Sequence, residues 1–245
     1  MKGFDQKFEM MTKQATLLTP PSSPENLKAS VNYVNRDSYF LSSENASKVC
    51  IVGVGFVGLH LVECFSRKHN VVGFDINSSR IEFLKENHPM ERAQFTNDLE
   101  KIKKCRLFCV SVPTLLKDQA VDFTFVEKAI AMIAKFIQPG CVVVIESSVS
   151  VGTSRRLLTK LRYGELLRLF LADSNLKLSQ QDVYVGFSPE RVDPGRTVPA
   201  AHEIAKVISA IDEPSLANIH RWVCILKIKK SHRGLFLEGN ANPCI

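Results

Sequence analysis

Residues 49–75 constrain the chain more than any other stretch. Val49-Cys50-Ile51-Val52 is an apolar run of the length of one buried parallel strand. Gly53-Val54-Gly55-Phe56-Val57-Gly58 follows at once, and Leu61, Val62 and Phe65 then recur from Gly58 at helical spacing. A second apolar run, Val71-Val72-Gly73-Phe74, ends in Asp75, about twenty residues after the first glycine. Strand, glycine turn, helix, strand and terminal acid make one βαβ unit.

Each part has a physical task. Gly53 lets the chain turn sharply off its strand. Gly55 carries no Cβ, so a pyrophosphate can reach the backbone, and Gly58 lets helix and strand pack closely. The open N–H groups at the start of the helix, where Phe56 and Val57 sit, hold phosphate charge with the help of the helix dipole. Asp75 can accept hydrogen bonds from both adenosine ribose hydroxyls and would repel a 2′-phosphate, which favours NAD over NADP. The competing reading is a domain of the same fold that has lost its ligand.

Composition narrows the class. The chain has 245 residues, 45% hydrophobic and 23% charged, ordinary values for a globular protein. No apolar run approaches the roughly 18 residues of a membrane helix, so no membrane partner is expected. The net charge of +7 suits a phosphate-rich ligand as well as nucleic acid. Much of the excess lies late in the chain, at Lys227, Lys229, Lys230 and Arg233, so no nucleic-acid partner is expected. The seven cysteines form no Cys-x-x-Cys pair, and Cys50 and Cys141 fall within apolar strand runs. Buried thiols in a reducing compartment explain them. The N-terminus has Asp5 and Glu9 and no apolar signal core, so a cytoplasmic location is expected. The six histidines show no metal-ligand spacing, and no metal is expected.

Along the chain, residues 1–46 read as a disordered leader, rich in proline and serine at Thr19-Pro20-Pro21-Ser22-Ser23-Pro24. Asn77 to Arg80 opens a helix, residues 99–104 suit a short helix, and Arg106–Val112 reads as a strand stopped by Pro113-Thr114. Residues 122–137 read as an amphipathic helix with Phe125, Ala129, Met132, Ile133 and Phe136 on one face. Cys141–Ile145 is a further buried strand, Thr153–Leu161 a helix with Arg155 and Arg156 toward solvent, and Tyr184–Phe187 a last strand. The alternation predicts an α/β, Rossmann-type, doubly wound parallel sheet over residues 47–220. Thr114, Ser148 and Glu190 each follow a strand, where the ligand crevice of such a sheet lies.

Five motifs, in order, carry a resemblance: Gly53 to Leu59; Asp75 with Arg80; Val112-Pro113-Thr114; Glu146-Ser147-Ser148-Val149-Ser150-Val151-Gly152-Thr153; and Phe187-Ser188-Pro189-Glu190-Arg191-Val192-Asp193-Pro194-Gly195. The chain resembles the NAD-binding domain of the UDP-glucose/GDP-mannose dehydrogenases, most closely the branch acting on UDP-N-acetylhexosamines. The resemblance implies oxidation of a UDP-sugar C6 alcohol to the uronic acid with two NAD. It places Asp75 and Arg80 beside the adenosine ribose and Thr114 and Ser148 near the nicotinamide. Glu190 becomes the strand-end carboxylate that organises water and base chemistry. Ser148 stands where many members have threonine, which keeps the hydroxyl. Without the resemblance, Thr114 and Ser148 read as loop hydroxyls, Glu190 as one half of a surface ion pair with Arg191, and Arg80 as a helix-surface charge. Arg191 and Arg196 are candidates for substrate phosphates, with solvent-facing roles the stronger reading.

The family's second oxidation needs a nucleophilic cysteine in a Gly-x-Cys-x-Pro-x-Asp motif; the 245 residues contain none. From about Trp222 the chain departs from the family, and residues 221–245 read as an aberrant or truncated tail. The expectation is therefore the cofactor-binding half of a nucleotide-sugar dehydrogenase. It would be a monomer, although the relatives dimerise, with most UDP-sugar contacts outside it. The alternatives are a catalytically inactive NAD-binding fragment or regulatory module, and another dehydrogenase of the same fold.

Overall fold

A computed structural model of the chain describes residues 48–117, 120–150, 152–163, 183–190, 206–225 and 231–235. They belong to one compact unit, Phe40–Ile245. The expected leader lies outside the described residues.

The first unit forms as the glycine spacing predicts: β1 (Lys48–Val52), α1 (Phe56–Ser66) and β2 (Val71–Phe74). Helix α1 buries Gly58, Leu61, Val62 and Phe65, the set picked out by its periodicity. Next come α2 (Ser78–Asn87), β3 (Ala93–Thr96), a 3₁₀ turn (Leu99–Ile102) and β4 (Cys105–Val110). A two-stranded antiparallel hairpin, β5 (Leu115–Lys117) and β6 (Ala120–Asp122), leads into α3 (Thr124–Ala134). The chain continues through β7 (Val142–Ile145), α4 (Thr153–Tyr163), β8 (Tyr184–Phe187), β9 (Lys206–Ala210), α5 (Glu213–Ile225) and β10 (Ser231–Leu235).

Eight strands form one sheet in the order β10-β9-β8-β7-β4-β1-β2-β3. Every contact is parallel except β8 with β9. The chain starts at the centre and winds outward both ways, so β4, β1 and their neighbours are covered on both faces. Alternating side chains feed two cores. Phe108 and Val110 of β4 join Val126, Ile130 and Ile133 of α3 on one face. Leu107 and Cys109 join Leu61 and Phe65 of α1 and Ile219 and Trp222 of α5 on the other.

Three differences from the sequence reading have physical causes. Helix α3 buries Val126, Ala129, Ile130, Ile133 and Ala134, while Phe125 is 38% exposed. Apolar residues run nearly all round this helix, so period alone admits several faces, and the sheet beneath selects one. Tyr184–Phe187 is not the last strand; β9 and β10 follow it. β9 has the short pattern Lys-Val-Ile-Ser-Ala, whose alternation is buried, half-buried, buried. The α5 helix also passes residue 220, where the sequence suggests a boundary, and runs to Ile225.

Candidate functional site

The strand register aligns the carboxyl ends of the central strands. Phe74, Val52, Val110, Ile145 and Phe187 are mutual partners across β2, β1, β4, β7 and β8. The ladder runs one residue further: Gly53 N donates to Phe74 O, Ser111 N to Val52 O, Glu146 N to Val110 O and Ser188 N to Ile145 O. Asp75 and Glu146 stand one residue past this row, Ser148 and Glu190 three, and Thr114 four. One edge of one sheet thus carries Asp75, Thr114, Ser148 and Glu190.

The glycine turn is held from both sides. Gly53 has φ +89°, and a Cβ there would lie 2.5 Å from Ser111 O, so only glycine fits. A Cβ on Gly58 would overlap the Gly53 carbonyl oxygen. Around Gly55, in contrast, the space is open. Gly55 is also the residue before α1, and no side chain caps the helix. The first-turn N–H groups, with Phe56 exposed beside them, therefore face an opening that admits a phosphate.

Asp75 braces this turn as well as fronting it. Its Oδ2 accepts the Val54 N–H at 3.0 Å and its Oδ1 the Asn77 N–H at 2.9 Å. Arg80 Nε donates to Val54 O at 2.9 Å, and its guanidinium lies 5.5 Å from the centre of the Phe83 ring. The Val54 peptide is gripped at both ends by the two residues expected to flank a ribose. A carboxylate has about four lone-pair sites, so Asp75 keeps acceptor capacity for ribose hydroxyls. Asn77 caps α2 by accepting the Arg80 N–H at 3.1 Å, which fixes where Arg80 leaves the helix.

On the β7 side Ser147, not Ser148, is structural. Ser147 is buried, and its hydroxyl donates to Val112 O at 2.7 Å, tying this loop to the one after β4. Ser148 is exposed and Thr114 half-buried at the same edge. Arg191 and Arg196 lie outside the described residues.

Sequence reasoning missed the strongest electrostatic feature. Lys206, at the start of β9, donates to the Glu146 carboxylate and, at 3.2 Å, to Glu190 Oε2. The side chains of Glu146, Lys206 and Glu190 are only 3%, 9% and 11% exposed. Burial raises the Glu146 carboxyl and Lys206 opposes it, leaving its pKa at about 7. Burial disfavours the Lys206 charge, but the two carboxylates outweigh it, and its pKa lies above the usual lysine range. A Glu146 visible only as part of a motif, and a Lys206 visible only as a lysine before an apolar run, carry no mark of this pairing.

The Glu146 shift fixes a pH dependence. Between its unfolded value near 4.5 and about 7, the folded chain holds a proton that the unfolded chain lacks. The stability from this group is full below the lower value and is lost as pH rises through the upper. Denaturant unfolding should therefore show a loss on the order of 1–3 kcal/mol between pH 5 and 8. Glu146→Gln should flatten that part of the profile; an identical slope in the variant would assign it to other groups.

The sheet order, the glycine turn and the strand-end acid define a dinucleotide-binding domain of the dehydrogenase type. Residues 47–91 and 82–223 match the NAD binding domain of the UDP-glucose/GDP-mannose dehydrogenase family, and the chain belongs to that family. Protein CapL of Staphylococcus aureus is 34% identical over 173 residues, which are 66% of this chain and 39% of that protein. A UDP-N-acetyl-D-glucosamine 6-dehydrogenase of Pseudomonas aeruginosa is 32% identical over 185 residues, 70% of this chain and 42% of that one. The solved structure of a UDP-D-ManNAc dehydrogenase from Pyrococcus horikoshii shares the fold, with a TM-score of 0.65 at 24% identity over 77% of this chain and 46% of that one. The chain spans about two fifths of the length of these curated relatives. Among the described residues no helix is long and apolar enough to cross a membrane.

Proposed function

We propose that this chain provides the NAD-binding half of a nucleotide-sugar 6-dehydrogenase, which oxidises the C6 alcohol of a UDP-hexose or UDP-N-acetylhexosamine to the uronic acid. The braced glycine turn carries the reading: an uncapped helix start opens over Gly55 while Asp75 and Arg80 hold the Val54 peptide. When bound, NAD+ supplies a hydride acceptor. The chain's residues bind and orient it. Phe56, Val57 and Gly58 offer N–H groups to the pyrophosphate. Asp75 takes ribose hydroxyls on its remaining lone pairs, with Arg80 alongside. Thr114 and Ser148 line the nicotinamide end, and Glu190 takes the proton of the reacting hydroxyl. The UDP-sugar choice follows relatives named for UDP-N-acetyl-D-glucosamine and UDP-N-acetyl-D-mannosamine.

Titration calorimetry tests the cofactor. NAD+ should bind better than NADP+, and Asp75→Ala should weaken NAD+ by about 10–100-fold, because ribose acceptors and the Val54 brace go together. Equal affinities of wild type and variant would remove Asp75 from the site.

A second reading is NAD binding without turnover, as a fragment or regulatory module. The 245 residues contain no Gly-x-Cys-x-Pro-x-Asp motif, so they supply by themselves no thiol of that kind for a second oxidation. NADH formation from a UDP-sugar supports the enzyme, and binding without it supports the module. Size-exclusion chromatography should show a monomer; a stable dimer would contradict that.

A further inference from the structure

Glu146, Lys206 and Glu190 form a buried chain of ionisable groups outside the proposed cofactor contacts. Its inner end is packed among apolar side chains. Phe65, Cys109, Val144, Ile219 and Trp222 line a small apolar void beside Glu146. The Lys206 ammonium is the cation that meets Glu146 there, and the same ammonium meets Glu190. The outer end, Glu190, emerges at the sheet edge that carries Ser148 and Thr114. Ser188, fully buried, directs its hydroxyl toward Glu146 without closing a hydrogen bond of ordinary geometry.

We propose that Glu146 is a proton store for this edge of the sheet, connected through the Lys206 ammonium to Glu190. The proposal rests on the dehydrogenase reading for its purpose: alcohol oxidation releases a proton where water is scarce. The alcohol O–H bond breaks as Glu190 gains an O–H bond. Glu190 then passes a proton to Lys206 while Lys206 passes one of its own to Glu146, so the ammonium is regenerated and one proton has moved inward. Glu146 and Lys206 are positioning residues in this scheme and do not touch substrate.

The groups around the store agree with it. Glu146 sits on the loop after β7, Glu190 on the loop after β8 and Lys206 on β9. From β4, Cys109 faces Glu146, and burial together with that carboxylate raises its pKa, so it stays protonated and does not compete. From α1, Cys64 lies within electrostatic reach of Glu190 and Lys206; burial raises it most, so it too stays neutral. From α5 the void receives only Ile219, Trp222 and Val223. Arg67 and Glu63 act on the Cys64 thiol from the α1 side and add their charges to the surroundings of the chain.

Two measurements on the full chain decide the matter. In carboxyl ¹³C NMR titration with labelled glutamate, one carboxyl should titrate near neutrality and vanish in Glu146→Gln. Its midpoint should fall in Glu190→Gln, which removes a like charge. A carboxyl set that titrates wholly below pH 6, or a midpoint indifferent to Glu190→Gln, overturns the proposal. The second is NAD+ calorimetry at pH 7 in buffers of different ionisation enthalpy. The cationic nicotinamide should expel roughly 0.3 proton from the wild type and none from Glu146→Gln. NADH should expel none from either. Binding of NAD+ with no proton release overturns the link to the site. Failure of NAD+ to bind at all sinks the cofactor reading instead, while the carboxyl titration still decides whether the store exists.

Discussion

Gly58→Ala should destabilise the fold by about 3 kcal/mol or more and abolish NAD+ binding. Two effects oppose each other. Alanine is the better helix former, by roughly 1 kcal/mol in a helix interior. Against this, the new methyl would overlap the Gly53 carbonyl oxygen and lie 2.8 Å from its carbon. The obstacle is backbone and cannot swing away. Gly53 cannot retreat, because it abuts Ser111 O, and its N–H is bonded to Phe74 O. The clash therefore wins. The loss is a large fraction of a typical stability of about 5–15 kcal/mol. Urea unfolding and NAD+ calorimetry check it. Gly55→Ala is the control: its surroundings are open, and its φ of −67° suits any residue. It should change stability by less than about 1 kcal/mol yet weaken NAD+, because the methyl stands where the pyrophosphate would approach. An unchanged urea midpoint for Gly58→Ala would mean the turn is softer than this geometry allows.

Lys206→Met should cost about 3–5 kcal/mol at pH 8, the usual loss when one partner of a buried ion pair is removed. Glu146 and Glu190 would then face each other without their shared cation. The sign with pH follows. The folded pKa of Glu146, already above its unfolded value, would rise further, so the variant's stability would fall more steeply as pH rises. The penalty should be smaller at pH 5 than at pH 8. Replacing both partners, as in Lys206→Met with Glu146→Leu, should recover much of the loss, because an apolar pair has no charge to desolvate. Denaturant unfolding at the two pH values distinguishes this from simple loss of packing, which would cost the same at both.

Much of the site is legible without coordinates because its rules are local. Gly53, Gly55, Gly58 and Asp75 announce themselves by spacing, since each answers a demand made within one βαβ unit. The same holds for Asn77, whose side chain caps the helix that starts beside it. Residues whose role depends on a neighbour distant in sequence are less legible. Ser147 and Ser148 are adjacent and chemically alike, yet one is buried in a bond to Val112 O and the other exposed. The direction of the chain past β7 decides between them. The exposed Phe125 makes the same point for α3: an almost wholly apolar helix shows its buried face only when the sheet is in place.

What the linear order of residues determined is the parallel sheet, the turn over which a dinucleotide fits and the edge where Thr114, Ser148 and Glu190 gather, because periodicity and glycine placement act over short distances. Only the tertiary structure decided that β9 runs antiparallel to β8, with Phe187 opposite Ser209. That register, continued outward, brings Lys206 across from Glu190 and against Glu146. The pairing joins residues 60 and 16 positions apart. No local pattern encodes such a meeting, because charges separated that far along the chain are brought together by topology alone.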